Sequence, residues 1–191
     1  MRKLRRSNLA DELLTGLKGV EVGGGAHNSF DLDTINVDYT DDMTTVSKLA
    51  EIKNCGRAMP VDVVSRGDEL PFKDEEWDFV INSHVLEHFY DPVKAIKEWL
   101  RVVKVGGYVF MIIPHKERTY EKDRPLTTIE ECLKIYRSGE EPEVDLHRHY
   151  TVWNTERFLE LLSAIGLTPF KVLDVDDKVG NGFCVVLKKG L

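Results

Sequence analysis

Short apolar runs bounded by glycine, proline or acidic residues alternate along this chain with stretches whose apolar residues recur every three or four positions. That is how strands and helices look when they take turns. Leu9, Leu13 and Leu17 share one helical face behind Ser7 and Asn8, a ready N-cap, so an opening helix leads into a strand around Val20. A second strand covers residues 35–39, and Met43, Val46 and Leu49 return at helical spacing after Asp41 and Asp42. A third short strand falls at residues 59–64. Residues 78–83 (Asp-Phe-Val-Ile-Asn-Ser) form an apolar run between polar ends, as expected of a strand buried on both faces of a parallel sheet. Asp91 and Pro92 then open a helix carrying Val93, Ile96, Leu100 and Val103, which Gly106 and Gly107 should stop before a strand at 108–113. Thr128 with Glu131 suggests a capping box for a helix bearing Ile129, Leu133 and Tyr136. Asn154 caps one bearing Phe158, Leu161, Leu162 and Ile165, ended by Gly166. Runs at 170–175 and 183–187, joined through Asp176, Asp177 and Gly180-Asn181-Gly182, read as a closing hairpin. The pattern predicts an α/β fold of seven strands, the last antiparallel to its neighbours.

A length of 191 residues, 42% of them hydrophobic, suits one well-buried domain over residues 1–191, with an N-terminal helix and tail at 1–18. A net charge of −7 argues against a general nucleic-acid binder, because phosphate binding leaves a basic footprint. The basic start (Arg2, Lys3, Arg5, Arg6) precedes no apolar signal core, no apolar run approaches membrane-spanning length, and a solvated tail is expected. Cys55, Cys132 and Cys184 stand far apart, which fits neither a zinc site nor a disulfide framework and points to a reducing cytoplasm.

The chemistry-bearing segment is 20–25, Val-Glu-Val-Gly-Gly-Gly, with Asp38 closing the next apolar run. A strand, a glycine turn and a second strand ending in a carboxylate suit a nucleoside, because bare backbone approaches the ligand closely and an ionised oxygen accepts from ribose hydroxyls. A dinucleotide site would need a third glycine where Asn28 stands, with a helix opening there.

Six segments in order carry a resemblance: residues 20–25, Val37-Asp38, Leu70-Pro71-Phe72, Trp77-Asp78-Phe79-Val80, His84-Val85-Leu86-Glu87-His88, and residues 100–107 (Leu-Arg-Val-Val-Lys-Val-Gly-Gly). Together they resemble the seven-stranded S-adenosylmethionine-dependent methyltransferases, and among them the type 11 methyltransferase domains. The resemblance implies a Rossmann-like three-layer sandwich whose mostly parallel sheet ends in an antiparallel hairpin. It implies S-adenosyl-L-methionine as cofactor and S-adenosyl-L-homocysteine as product. By this likeness Gly23, Gly24 and Gly25 pass beside the methionine part and Glu21 organises the loop and the amino end. Asp38, with Tyr39 beside it, would hold the ribose; Asp62 and Val63 would edge the adenine, with Asp68 as the alternative; and Asn82, Ser83, His84 and His88 would lie under the methionyl chain.

One departure is plain. Only nine residues, 26–34, separate the glycine turn from the second strand, where a parallel crossover usually holds a helix. The first crossover helix is therefore shortened or absent, leaving a sheet face for the N-terminal helix or for a partner subunit such as a second copy in a homodimer. The same gap motivates an alternative reading, a catalytically silent methyltransferase-like scaffold subunit.

Residues 115–150 interrupt the alternation and are rich in Arg, His and Glu, which marks a substrate-binding insertion. Its mixed charge suits a small polar, saccharide-like acceptor methylated on oxygen or nitrogen. His115, His147 and His149 are candidate bases, and Arg118, Arg148 and Tyr150 candidate acceptor contacts. His84 and His88 have metal-ligand spacing, but nothing in the sequence ties them to His147 and His149, so no metal is expected.

Overall fold

The computed structural model describes residues 6–143, 145 and 148–190. His147 and most of the basic start (Arg2, Lys3 and Arg5) lie outside the described residues. Seven strands, β1 (Gly19–Val22), β2 (Thr34–Asp38), β3 (Val63–Val64), β4 (Trp77–Ser83), β5 (Val103–Pro114), β6 (Lys171–Leu173) and β7 (Gly182–Lys188), form one sheet. Their order is β3-β2-β1-β4-β5-β7-β6. β1 to β5 pair in parallel, and β7 runs antiparallel to both β5 and β6.

Alternation along the central strands divides the core into two layers. Val80, Val109, Met111 and Ile113 face α3 (Pro92–Val102), α4 (Ile129–Ser138) and α5 (Thr155–Ala164), around the fully buried Trp99 and Phe158. Phe79, Ile81, Phe110 and Ile112 face the other way, onto α1 (Asn8–Leu14) through Leu9, Ala10 and Leu14. The first crossover has no helix. Its place is taken by α1 and by Phe30, which is 3% exposed and meets Phe110 edge-on at 5.9 Å. Ser7 caps α1 by accepting from Ala10 N, and Asp177 accepts from Leu9 N at 2.9 Å, pinning the helix to the hairpin loop. The face left by the short crossover is thus covered from within the chain.

Three expectations are corrected. Met43 lies before α2 (Val46–Cys55), and the stripe it was to share with Val46 and Leu49 is exposed. The helix turns Lys48 and Glu51 inward instead, because backbone donors at Ala26 and Met59 and the carboxylate of Asp38 await them there. α3 ends at Val102, before the two glycines, and β5 begins immediately. Gly106, at φ +83°, is a turn inside the strand's first half, and Gly107 is held to glycine by the Asp78 carbonyl, which a β-carbon would approach to 2.3 Å. β3 keeps only two of its six expected residues, since Met59 N donates to Glu51 and the Pro60 carbonyl accepts from the Asn36 side chain rather than from a backbone N–H of β2.

Candidate functional site

The strand order reverses between β1 and β4, so connections leave their carboxyl ends in opposite directions and open a crevice, the usual ligand position in such sheets. A cavity of about 450 Å³ lies there, a size suited to a small-molecule cofactor. Gly23, Gly24 and Gly25 form one wall, and Asp38 and Tyr39 stand at the end of β2.

The turn is held by its surroundings. Gly23 N donates to the Val37 carbonyl, Gly24 N to Asn36 Oδ1 at 3.0 Å, and Ala26 N to Glu51 at 2.9 Å. A β-carbon on Gly24 would come within 2.6 Å of Asn36 Oδ1, so the bare turn is a packing requirement as well as an open wall. Asp38 accepts from Tyr39 N and pairs with Lys48 Nζ at 3.2 Å, an ammonium that also reaches Glu51 and is 2% exposed. That pairing fixes the carboxylate in place while its side chain stays 15% exposed to the cavity. A carboxylate beside bare backbone is what a ribose-bearing ligand needs, and the residues present fit S-adenosylmethionine.

Other expected residues distribute unevenly. His84 and His88 line the same cavity, whereas Glu21 and Ser83 line a smaller adjoining one. Asp62 lines neither, because its carboxylate accepts from Asn36 N at 2.7 Å, and Val63 and Asn82 line neither as well. The carboxylate that reaches the cavity after β3 is that of Asp68, paired with Arg66 at 2.9 Å and with Lys94 at 3.7 Å. Arg66, Lys94 and Glu141 were not expected there; their recruitment from separate loops and a helix leaves no periodic trace in the sequence. His84 adopts φ +58°, unusual for a residue with a β-carbon, at the point where β4 gives way to the Leu86–His88 turn. Burial pushes its pKa down.

The insertion histidines separate. His115 is 8% exposed, and its Nδ1 accepts from Glu117 N as a helix-capping group away from the cavity. Arg118 pairs with Asp174 near the hairpin, and neither it nor His115 lines the cavity. His149, by contrast, stacks edge-on against His88 at 4.5 Å, with Glu121 3.1 Å from its Nδ1. Burial lowers the pKa of His149 and Glu121 opposes the shift. Arg148 offers its carbonyl to His88 Nδ1 and lies over the Tyr150 ring, which itself meets Tyr90 on the cavity wall.

A family model described as a methyltransferase domain matches residues 20–111. Residues 20–111 are thus an S-adenosylmethionine-dependent methyltransferase domain. An uncharacterized protein of Methanocaldococcus jannaschii is 27% identical over 85% of this methyltransferase and 73% of its own length. The demethylmenaquinone methyltransferase of Staphylococcus saprophyticus is 30% identical, over 54% of this chain and 40% of its own. Among solved structures, a SAM-dependent methyltransferase of Methanosarcina mazei superposes with a TM-score of 0.59 at 16% identity, covering 98% of this chain and all of its own. One from Aquifex aeolicus gives 0.53 at 19%, covering 92% and 83%. No helix among the described residues is long and apolar enough to cross a membrane.

Glu21 supplies a test of the site's electrostatics. Burial raises its pKa from 4.5 to about 7, with Lys178 and the Thr34 hydroxyl opposing. Because the folded value is the higher one, the folded chain holds a proton that the unfolded chain has lost between about pH 4.5 and 7. Stability therefore falls as pH rises through that window. Glu21→Gln is expected to match the wild type near pH 4.5 and to exceed it by about 1–3 kcal/mol at pH 8 in urea unfolding. An equal difference at both pH values would refute burial as the cause.

Proposed function

We propose that this methyltransferase acts on an oxygen or nitrogen of a small polar acceptor, saccharide-like molecules included. The observation that carries the reading is the charged wall that shares the cavity with the glycine turn: Arg66, Asp68, Lys94 and Glu141, linked by ion pairs of 2.9 Å (Arg66 to Asp68), 3.6 Å (Arg66 to Glu141) and 3.7 Å (Lys94 to Asp68). Polar groups so arranged favour an acceptor that replaces their lost hydration with hydrogen bonds, and penalise one that leaves them unpaired. The bound cofactor supplies a sulfonium-activated methyl group, already primed for transfer. The chain's own part is positional: the turn runs beside the methionine part, Asp38 fixes the ribose, and the charged wall orients the acceptor. A proton released from a hydroxyl or ammonium has histidine acceptors at hand, since His84 and His88 line the cavity and His149 stands behind His88. Mixed-sign pairs on the wall make a purely anionic acceptor less suitable than a neutral hydroxylated one.

The reading is checked with methyl-labelled S-adenosylmethionine and a cell extract separated into polar and lipid fractions. Label is expected in the polar fraction, and Lys94→Ala should raise the acceptor KM about tenfold or more while leaving cofactor binding near that of the wild type. Label confined to the lipid fraction, or absent from both, would overturn it. The scaffold alternative loses its motivation, because α1 and Phe30 cover the face left by the short crossover.

A further inference from the structure

We propose that Glu87, His88 and His149 form a binding site for a divalent transition-metal ion of the zinc class. Glu87 is 1% exposed, and neither carboxylate oxygen receives a hydrogen bond from another described residue. A carboxyl group buried without donors is costly, and such a group calls for a positive partner or a proton. What surrounds it is nitrogen. His84 Nδ1 and His88 Nε2 each lie 4.0 Å from Glu87 Oε1, and one ligand atom each from Glu87, His88 and His149 falls within 4.8 Å of the others.

The histidines are oriented as ligands are. His88 Nδ1 lies 3.1 Å from the Arg148 carbonyl, and because a carbonyl only accepts, that nitrogen carries the proton and Nε2 is the side turned to Glu87. His149 Nδ1 lies 3.1 Å from Glu121, itself 2% exposed and balanced by Arg124. A carboxylate or carbonyl behind each imidazole is the arrangement that fixes the tautomer of metal-bound histidine. The Tyr120 hydroxyl, 3.0 Å from His149 Nε2, sits on a residue 75% exposed and has room to yield its place.

Two nitrogens and one carboxylate oxygen favour a borderline ion over magnesium or calcium, which prefer oxygen throughout. Ligands bound tetrahedrally at about 2.0–2.1 Å stand roughly 3.3 Å apart, so the set needs to close by up to about 1.5 Å, within reach of side-chain rotation. Three protein ligands leave one position open, and His88 lines the cavity. An ion there would lower the pKa of a bound water or hydroxyl, with the histidines serving as ligands. The site itself does not depend on the methyl-transfer reading.

The test uses the full chain, stripped with a chelator and free of cofactor. Zinc chloride is titrated by calorimetry, metal content is measured after gel filtration, and cobalt(II) is added to read the visible absorption of a tetrahedral site. Uptake of about one ion per chain is expected, with at least a 100-fold loss of affinity in Glu87→Gln and His149→Ala, a loss of about 10–100-fold in Glu121→Gln, and none in His115→Ala. Circular dichroism confirms the fold of each variant; if Glu87→Gln does not fold, His149→Ala and Glu121→Gln carry the test. No stoichiometric uptake by the wild type, or wild-type affinity in folded His149→Ala, would overturn the site and leave Glu87 as a neutral buried acid.

Discussion

Asp38→Ala is expected to weaken S-adenosylhomocysteine binding by about 30-fold or more in calorimetry, with Asp38→Asn intermediate. A ribose diol donating to an ionised carboxylate forms charge-assisted hydrogen bonds worth about 1.5–3 kcal/mol each, so losing one or two of them removes roughly one to four decades of affinity. Asparagine retains one acceptor oxygen and the side-chain volume but loses the charge. The carboxylate has a second role, since Lys48 Nζ stands 3.2 Å away and is nearly inaccessible to solvent. Alanine leaves that ammonium with Glu51 at 3.5 Å and the Met59 carbonyl at 3.4 Å. The variant should therefore also unfold at lower urea, and Asp38→Ala/Lys48→Met should recover part of the stability without recovering affinity. Unchanged affinity in folded Asp38→Ala would remove the nucleoside assignment of this cavity.

What the sequence makes legible here is what short-range pattern can encode. The glycine turn, the acidic end of β2, the doubly buried β4 and the caps at Ser7, Asp91, Thr128 and Asn154 all follow from neighbours within a few residues, and each cap is present. The missing crossover helix was legible as a simple count of residues. What covers its face is not written in local pattern, because Phe30 meets Phe110 only once the sheet has formed.

The inward turn of α2 was hidden for a related reason. Helical periodicity assigns the core side to Val46 and Leu49, but here the site offers unpaired backbone donors and a carboxylate, which Glu51 and Lys48 satisfy at the expense of the apolar stripe. Asp62 and Asp68 look alike in the sequence; the hydrogen bond from Asn36 N to Asp62 separates them by fixing the register of β2 against the loop. The meeting of His88 with His149 is likewise a contact between distant segments. Tyr150 N donates to the Glu87 carbonyl at 2.7 Å and draws the end of the insertion down beside the turn after β4.

Trp99→Ala should cost about 3–5 kcal/mol of stability, and the loss should reach the cofactor site as well. The indole is fully buried at the centre of the larger core layer, so alanine leaves a void that the surrounding strands and helices cannot fill without moving. Its Nε1 donates to the Gly67 carbonyl at 2.8 Å, and its ring meets Phe89 edge-on at 5.8 Å. Gly67 and Phe89 both line the cavity, so one core side chain braces two parts of its wall from behind. Trp99→Phe separates the two roles. It keeps most of the buried ring and removes the donor, leaving a carbonyl to find another partner, at about 1–2 kcal/mol. If the indole holds Gly67 in the cavity wall, Trp99→Phe should weaken S-adenosylhomocysteine binding about three- to tenfold, more than its modest stability loss would suggest for a folded protein. Urea unfolding gives the first quantity and calorimetry well below the unfolding transition gives the second. A loss below 1 kcal/mol in Trp99→Ala would contradict its central packing, while unaltered affinity in Trp99→Phe would confine the residue to stability and release Gly67 from its control.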